Sequence, residues 1–165
     1  MYFCRPEHAS DVAAIRGVLE AAFPTPAEAR LVDALRLNGR LSLSIVASDG
    51  AGVIGHVAFS PVQVGEASGL GLAPMAVLPE HQSRGVGALL VREGLATCAA
   101  QRYGFVVVLG EPEYYGRFGF ERASARGLDN EYGADEAFMV FEVVPGSLPE
   151  QGGLVRYAPE FALVG

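Results

Sequence analysis

Residues 82 to 88, reading Gln-Ser-Arg-Gly-Val-Gly-Ala, set Gly85 and Gly87 one residue apart where helical periodicity begins. A helix N-terminus leaves about four N–H groups unpaired and carries roughly +0.5 of an elementary charge, so it accepts an anion, typically a phosphate. Glycines there remove the side chains that would hold the anion off. A bare G-x-G also opens ordinary helices, so the flanking residues must decide. A Walker loop requires Gly-Lys-Ser/Thr, and all 12 basic residues of this chain are arginine. The dinucleotide fingerprint needs a small residue at position 90, where Leu90 stands.

An element must deliver this loop, and the preceding residues supply it. Leu72 to Leu78 are nearly all apolar, the pattern of a strand covered on both faces and therefore central in a sheet. Pro79 cannot donate to a ladder and ends it. After the loop, Val86, Leu90, Val91, Leu95 and Cys98 form the buried side of a helix, with Arg92 and Glu93 opposed and Gly104 as the expected cap. Phe105 to Leu109 then reads as a second buried strand, which a right-handed crossover places parallel to the first.

The loop matches the Q/R-x-x-G-x-G/A signature of the GNAT acyltransferases, and the chain resembles that family in a second place. Tyr114, Tyr115, Gly116, Arg117, Phe118, Gly119 and Phe120 look like its short tyrosine-bearing helix followed by Gly-Phe. With the initial helices and closing strands, the similarity covers most of the chain and is nearest a compact bacterial subgroup of N-acetyltransferases. The resemblance implies an α/β fold with a mostly antiparallel central sheet, one parallel splayed strand pair and flanking helices. It also implies acetyl-CoA or another acyl-CoA as co-substrate, with the pyrophosphate on Gln82, Ser83, Arg84, Gly85, Val86, Gly87 and Ala88. The pantetheine arm would add to the strand along Met75, Ala76 and Val77, and Pro74 would help splay that strand. Tyr115 stands at the family position of the general acid that protonates the departing thiolate.

The implied reaction is direct attack by a primary amine of a small molecule, peptide or protein, in a ternary complex. An amine of reference pKa about 10.4 is only ~1 part in 10³ neutral at pH 7, a penalty of roughly 4 to 5 kcal/mol. Glu111 is the first candidate base, followed by His56 and Glu66. Two other readings stay open: a noncatalytic acyl-CoA sensor or interaction domain, and an unrelated nucleotide-binding domain. Dimers are frequent among such enzymes, so a homodimer is open as well.

Upstream, Tyr2 to Cys4 read as a first strand and Val12, Ile15, Leu19, Ala22 and Phe23 as one apolar helix face. Thr25, Pro26 and Glu28 form a capping-box pattern for a second helix that stops at Asn38 and Gly39. A hairpin follows, with strands Leu41 to Ala47 and Val53 to Val64 around Asp49-Gly50-Ala51-Gly52. A further turn spans Gly65 to Gly69. Phe138 to Val144 is the last clear strand, and Gly152 to Phe161 reads as an irregular tail that adds an edge.

At 165 residues, the chain is expected to form a single domain, 1–165. Half its residues are hydrophobic and 19% charged, a globular composition. No apolar run reaches the ~18 residues of a membrane span, and Arg5, Glu7 and Asp11 interrupt the start where a signal peptide needs its apolar core. A cytoplasmic protein without a membrane partner is expected. Cys4 and Cys98 lack metal-ligand spacing and read as small apolar residues; His8, His56 and His81 read as dispersed surface or satisfied polar groups, so no metal is expected. The net charge of -7 argues against nucleic acid. Ten acidic residues against four arginines follow Gly110, which either solubilise loops or gather a cationic amine.

Overall fold

The computed structural model describes residues 1–164, and its elements follow the hydrophobic periods of the chain. Strand β1 (Phe3–Pro6) leads through a short 3-10 turn into helix α1 (Val12–Ala22), which buries Ile15, Val18 and Leu19 on one stripe. Helix α2 (Ala27–Leu37) buries Ala29, Leu31, Val32 and Leu35. It stops before Gly39, whose φ of +71° is the left-handed conformation glycine adopts cheaply. The capping box does not form: Pro26 precedes the first helical residue, and Thr25 Oγ1 accepts the Ala27 N–H at 3.3 Å in a local turn.

Strands β2 (Leu43–Ser48) and β3 (Val53–Val64) are joined by a turn in which Asp49 Oδ1 accepts the N–H groups of Ala51 and Gly52 at 2.9 and 3.0 Å. Strand β4 (Ala67–Val77) begins earlier than the glycines suggest. Gly69 belongs to the strand because a Cβ there would lie 2.4 Å from the Phe105 ring, so its absence serves packing rather than a turn. Helix α3 (Val86–Ala100), strand β5 (Phe105–Leu109) and helix α4 (Pro112–Gly116) follow. Arg102, with φ +61°, takes the left-handed position after α3. Gly104 instead makes room for Ser147, whose Cβ would be 2.9 Å from a Cβ at 104. The chain closes with β6 (Glu121–Arg122), β7 (Leu128–Asn130), β8 (Phe138–Glu142), β9 (Gly153–Tyr157) and a 3-10 turn from Pro159 to Leu163.

Contacts group these residues into two units. The first holds Met1–Phe59, Ala73–Gly94 and the stretch from Pro159. There β1, β2 and β3 are antiparallel, Cys4 opposite Ala47 and Ile45 opposite Val57. Ile15, Val18, Leu19, Ala29 and Val32 of the helices pack on Val46, Ala58 and Ala76 of the strands. Gly94 of α3 admits the Phe59 ring, 2.4 Å from where its Cβ would be. Glu160, 7% exposed, accepts hydrogen bonds from Arg40 at 2.6 to 2.9 Å and Asn38 at 2.8 Å, tying the last turn to the end of α2.

The second unit holds Ser60–Leu72 and Leu95–Ala158. Strands β4 and β5 are parallel, Leu70 opposite Val106 and Gly71 opposite Val107, while β8 runs antiparallel to both β5 and β6. The tail is more regular than its composition suggests. Strand β9 pairs antiparallel with β3 and parallel with β7, and its Val155 joins the core of Val62, Val64, Phe105, Val107, Phe138 and Val140. The sheet is thus mostly antiparallel, with β4 and β5 as its parallel pair and helices on its flanks. Among the described residues, no helix is long and apolar enough to cross a membrane.

Candidate active site

The anion-binding candidates all lie in the first unit. Along the end of β4, Ala76 is buried while Met75 and Val77 are half-buried. Pro79 opens a single 3-10 turn, after which Gln82 Nε2 donates to the Val77 carbonyl at 3.0 Å and ties the loop to the strand it left. Ser83 and Gly85 both adopt left-handed backbone, with φ +62° and +84°, flanking Arg84. Residues 82 to 85 are exposed.

The hydrogen bond from Leu89 N–H to Gly85 C=O, 3.1 Å, is the i to i−4 bond that reaches back to the loop. The N–H groups of Val86, Gly87 and Ala88 precede it and have no carbonyl within the helix to meet. A Cβ at Gly85 would find nothing within 4 Å. Open space therefore lies before a helix end that attracts negative charge, and a diphosphate fits that combination.

Tyr115 and Glu111 belong to the second unit. Glu111 caps α4 in an extended conformation and is exposed, followed by Pro112 at the first helical position. Tyr115, 8% exposed, sits edge-on to Tyr114 at 5.0 Å and Phe120 at 5.6 Å between ring centroids. Gly110 is what lets the ring lie there, because a Cβ at 110 would come 2.2 Å from Tyr115 Cε2. Burial, reinforced by Tyr114, pushes the Tyr115 phenol up to about 12, so it is fully protonated at neutral pH. Tyr114 packs on Phe118 and under the Arg117 guanidinium, 4.7 Å from its centroid.

His56 departs from the expectation of a surface or satisfied group. It is fully buried in β3; Nε2 lies 2.8 Å from Ser44 Oγ, and Nδ1 has no hydrogen-bond partner. Ser44 Oγ donates to Glu7 Oε1, and Arg36 donates to both Glu7 oxygens at 2.8 and 3.2 Å. Arg36 also lies 3.6 Å from Asp33. Burial holds the imidazole neutral, with its pKa lowered to about 4. Burial pushes the Glu7 carboxyl up, but the hydrogen bonds from Arg36 and Ser44 outweigh it and leave the group below the usual carboxylate range. This constellation was not visible in the sequence.

The remaining candidates are peripheral. Glu66 is exposed in the turn between β3 and β4, His8 is exposed, and His81 Nδ1 pairs with the Tyr2 hydroxyl at 2.9 Å. Cys98 is buried and Cys4 half-buried; burial raises their thiols to about 12 and about 11. Among the described residues, no group of three or more His, Cys, Asp or Glu could hold a metal ion.

Residues 40–122 match the family model described as an acetyltransferase (GNAT) domain. Over 161 residues, 95% of this chain and 96% of the relative, the sequence is 42% identical to YhbS of Escherichia coli K12, an uncharacterized N-acetyltransferase. The crystal structure of E. coli YhbS in complex with CoA superposes with a TM-score of 0.92 at 38% identity, covering 99% of this chain and 93% of that one. A GNAT-family acetyltransferase from Brucella melitensis, in complex with acetyl-CoA, superposes at 0.82 with 37% identity over 98% of both chains.

Proposed function

The chain belongs to the GNAT acetyltransferase family, and on that premise we propose that it transfers acetyl from acetyl-CoA to a primary amine by direct attack. The observation that carries this reading is the exposed turn at Ser83 to Gly85, left-handed at both ends, ahead of the first turn of α3, whose Val86, Gly87 and Ala88 amides have no carbonyl within the helix to meet. In this proposal those amides, with Gln82, Ser83, Arg84 and Gly85, hold the diphosphate. The backbone of Met75, Ala76 and Val77 takes the pantetheine arm as an added strand.

Acetyl-CoA supplies the activated thioester, and the chain supplies orientation and protons. A backbone N–H between Met75 and Val77 stabilises charge developing on the carbonyl oxygen. Tyr115 directs its phenolic O–H at the departing sulfur and supplies its proton as the C–S bond breaks; burial keeps that phenol in the donating, protonated form at neutral pH. Glu111 is the weaker base candidate, since an exposed carboxylate gives an ammonium group no shelter from water. The chain works in the cytoplasm, where acyl-CoA is available.

The test is release of CoA thiol from acetyl-CoA with a panel of primary amines: spermidine, a lysine-containing peptide and an amino sugar. Thiol release above acetyl-CoA hydrolysis with at least one amine supports the reading. Tight CoA binding with no turnover on any of them would favour an acyl-CoA sensor.

A further inference from the structure

An unpaired nitrogen in a fully buried imidazole is uncommon and calls for a physical reason. The surrounding hydrogen bonds fix which nitrogen it is. Arg36 grips both oxygens of Glu7 and keeps the carboxylate ionised, and an ionised carboxylate only accepts. Ser44 therefore spends its hydrogen on Glu7 and must accept from His56, which places the ring hydrogen on Nε2 across the 2.8 Å contact. Nδ1 is left with a bare lone pair. In the register set by the bond from Leu78 N–H to Ile54 C=O, 2.9 Å, His56 falls opposite Ala76. That places it one strand from the run assigned to the pantetheine arm.

We propose that His56, Ser44 and Glu7 form a proton relay that takes the proton from the acceptor nitrogen through one water bound at His56 Nδ1. The relay rests on the acyl-transfer reading above. As the C–N bond forms and the C–S bond breaks, the attacking nitrogen becomes a far stronger acid, so a weak base suffices. Its proton goes to the water as a water proton moves to Nδ1. The Nε2 hydrogen moves to Ser44 Oγ, and the Ser44 hydrogen moves to Glu7 Oε1. Glu7, whose side chain is 20% exposed, returns it to solvent; once product has left, the relay runs back, Glu7 taking a solvent proton and Nδ1 giving its hydrogen to the water, which restores the starting tautomer. The sulfur leaves with the Tyr115 proton, which solvent restores. No positive charge has to rest on the enclosed ring, the state its burial opposes most.

The assignment is tested on Ser44→Ala and Ser44→Thr, with His56→Asn as a second break that keeps a polar side chain. Nitrogen-15 NMR of the unliganded wild type should show Nε2 protonated and Nδ1 bare at pH 7; the opposite tautomer overturns the relay. With acetyl-CoA and the fastest amine of the panel, Ser44→Ala and His56→Asn should lose about 10²-fold in kcat, acetyl-CoA affinity should hold, and Ser44→Thr should restore turnover. Equal kcat in Ser44→Ala and wild type removes the relay while leaving the acetyltransferase reading intact. A wild type that turns over no amine removes both, and calorimetry with acetyl-CoA then shows whether binding survives.

Discussion

Tyr115 combines a ring held by Tyr114, Phe120 and the absent side chain of Gly110 with one acidic atom. Removing the hydroxyl alone separates the two roles. Tyr115→Phe should keep the fold and acetyl-CoA affinity while lowering kcat by about 10²- to 10⁴-fold, the usual worth of a general acid; steady-state kinetics beside calorimetry would check it. Glu160 makes a different prediction. Hydrogen bonds from Arg40, then Asn38, overcome its burial and hold its carboxyl at about 2, below the unfolded value near 4.3. A depressed folded pKa contributes stability above the unfolded pKa and loses it as pH falls through the folded one. Glu160→Gln should therefore cost about 1 to 2 kcal/mol at pH 7, reduced because Arg40 is partly exposed, with the difference fading between pH 4 and 2. Urea melts at those pH values would show it. Tyr115 was legible because its spacing to Gly119 and Phe120 is local. His56 could be named as a base candidate but its setting could not, because its partners Glu7, Arg36 and Ser44 are gathered from separate elements.

Among the elements, the strand-loop-helix passage from β4 to α3 was the most legible. Its apolar strand, Pro79 stop and glycine turn each act within a few residues, so no distant partner had to be known. The loop depends on backbone shape: Gly85 has φ +84° and open space around a Cβ. Alanine there meets no clash but pays about 1 to 2 kcal/mol for left-handed backbone, and its methyl stands where the diphosphate is proposed to sit. Gly85→Ala should lower Tm by several degrees and weaken acetyl-CoA binding about tenfold, ~1.4 kcal/mol, as thermal melts and calorimetry would show. Misjudged elements share one cause. Gly69 and Gly104 look like turn residues locally, yet their missing side chains accommodate Phe105 and Ser147. Strand β9 looks irregular, with Gly152 and Gly153 at its start, and becomes ordered through pairing with β3 and β7.

At the scale of the molecule, the family resemblance implied the mixed α/β class and periodicity its strand-helix-strand unit, but β8 pairing with both β5 and β6 required long-range contacts that periodicity does not encode. Charge is the other whole-chain property. The residues after Gly110 account for -6 of the total -7, a field that draws cations over a Debye length of about 10 Å at 0.1 M salt. Spermidine should show a higher kcat/KM than a neutral amine of similar size, an advantage that shrinks from 20 mM to 500 mM NaCl. Equal values at both salt concentrations would assign the acidic residues to solubility alone.

The ion pairs that fasten the first unit, Arg36 to Glu7 and Arg40 to Glu160, have a chemical consequence beyond stability. Lysine would offer an ε-amine, the functional group a thioester acylates, and each such event would erase a charge. Guanidinium is almost never deprotonated and so is a poor nucleophile. Under the proposed function, the first unit is thus fastened by groups that an acyl donor leaves untouched, and its salt bridges outlast that reagent.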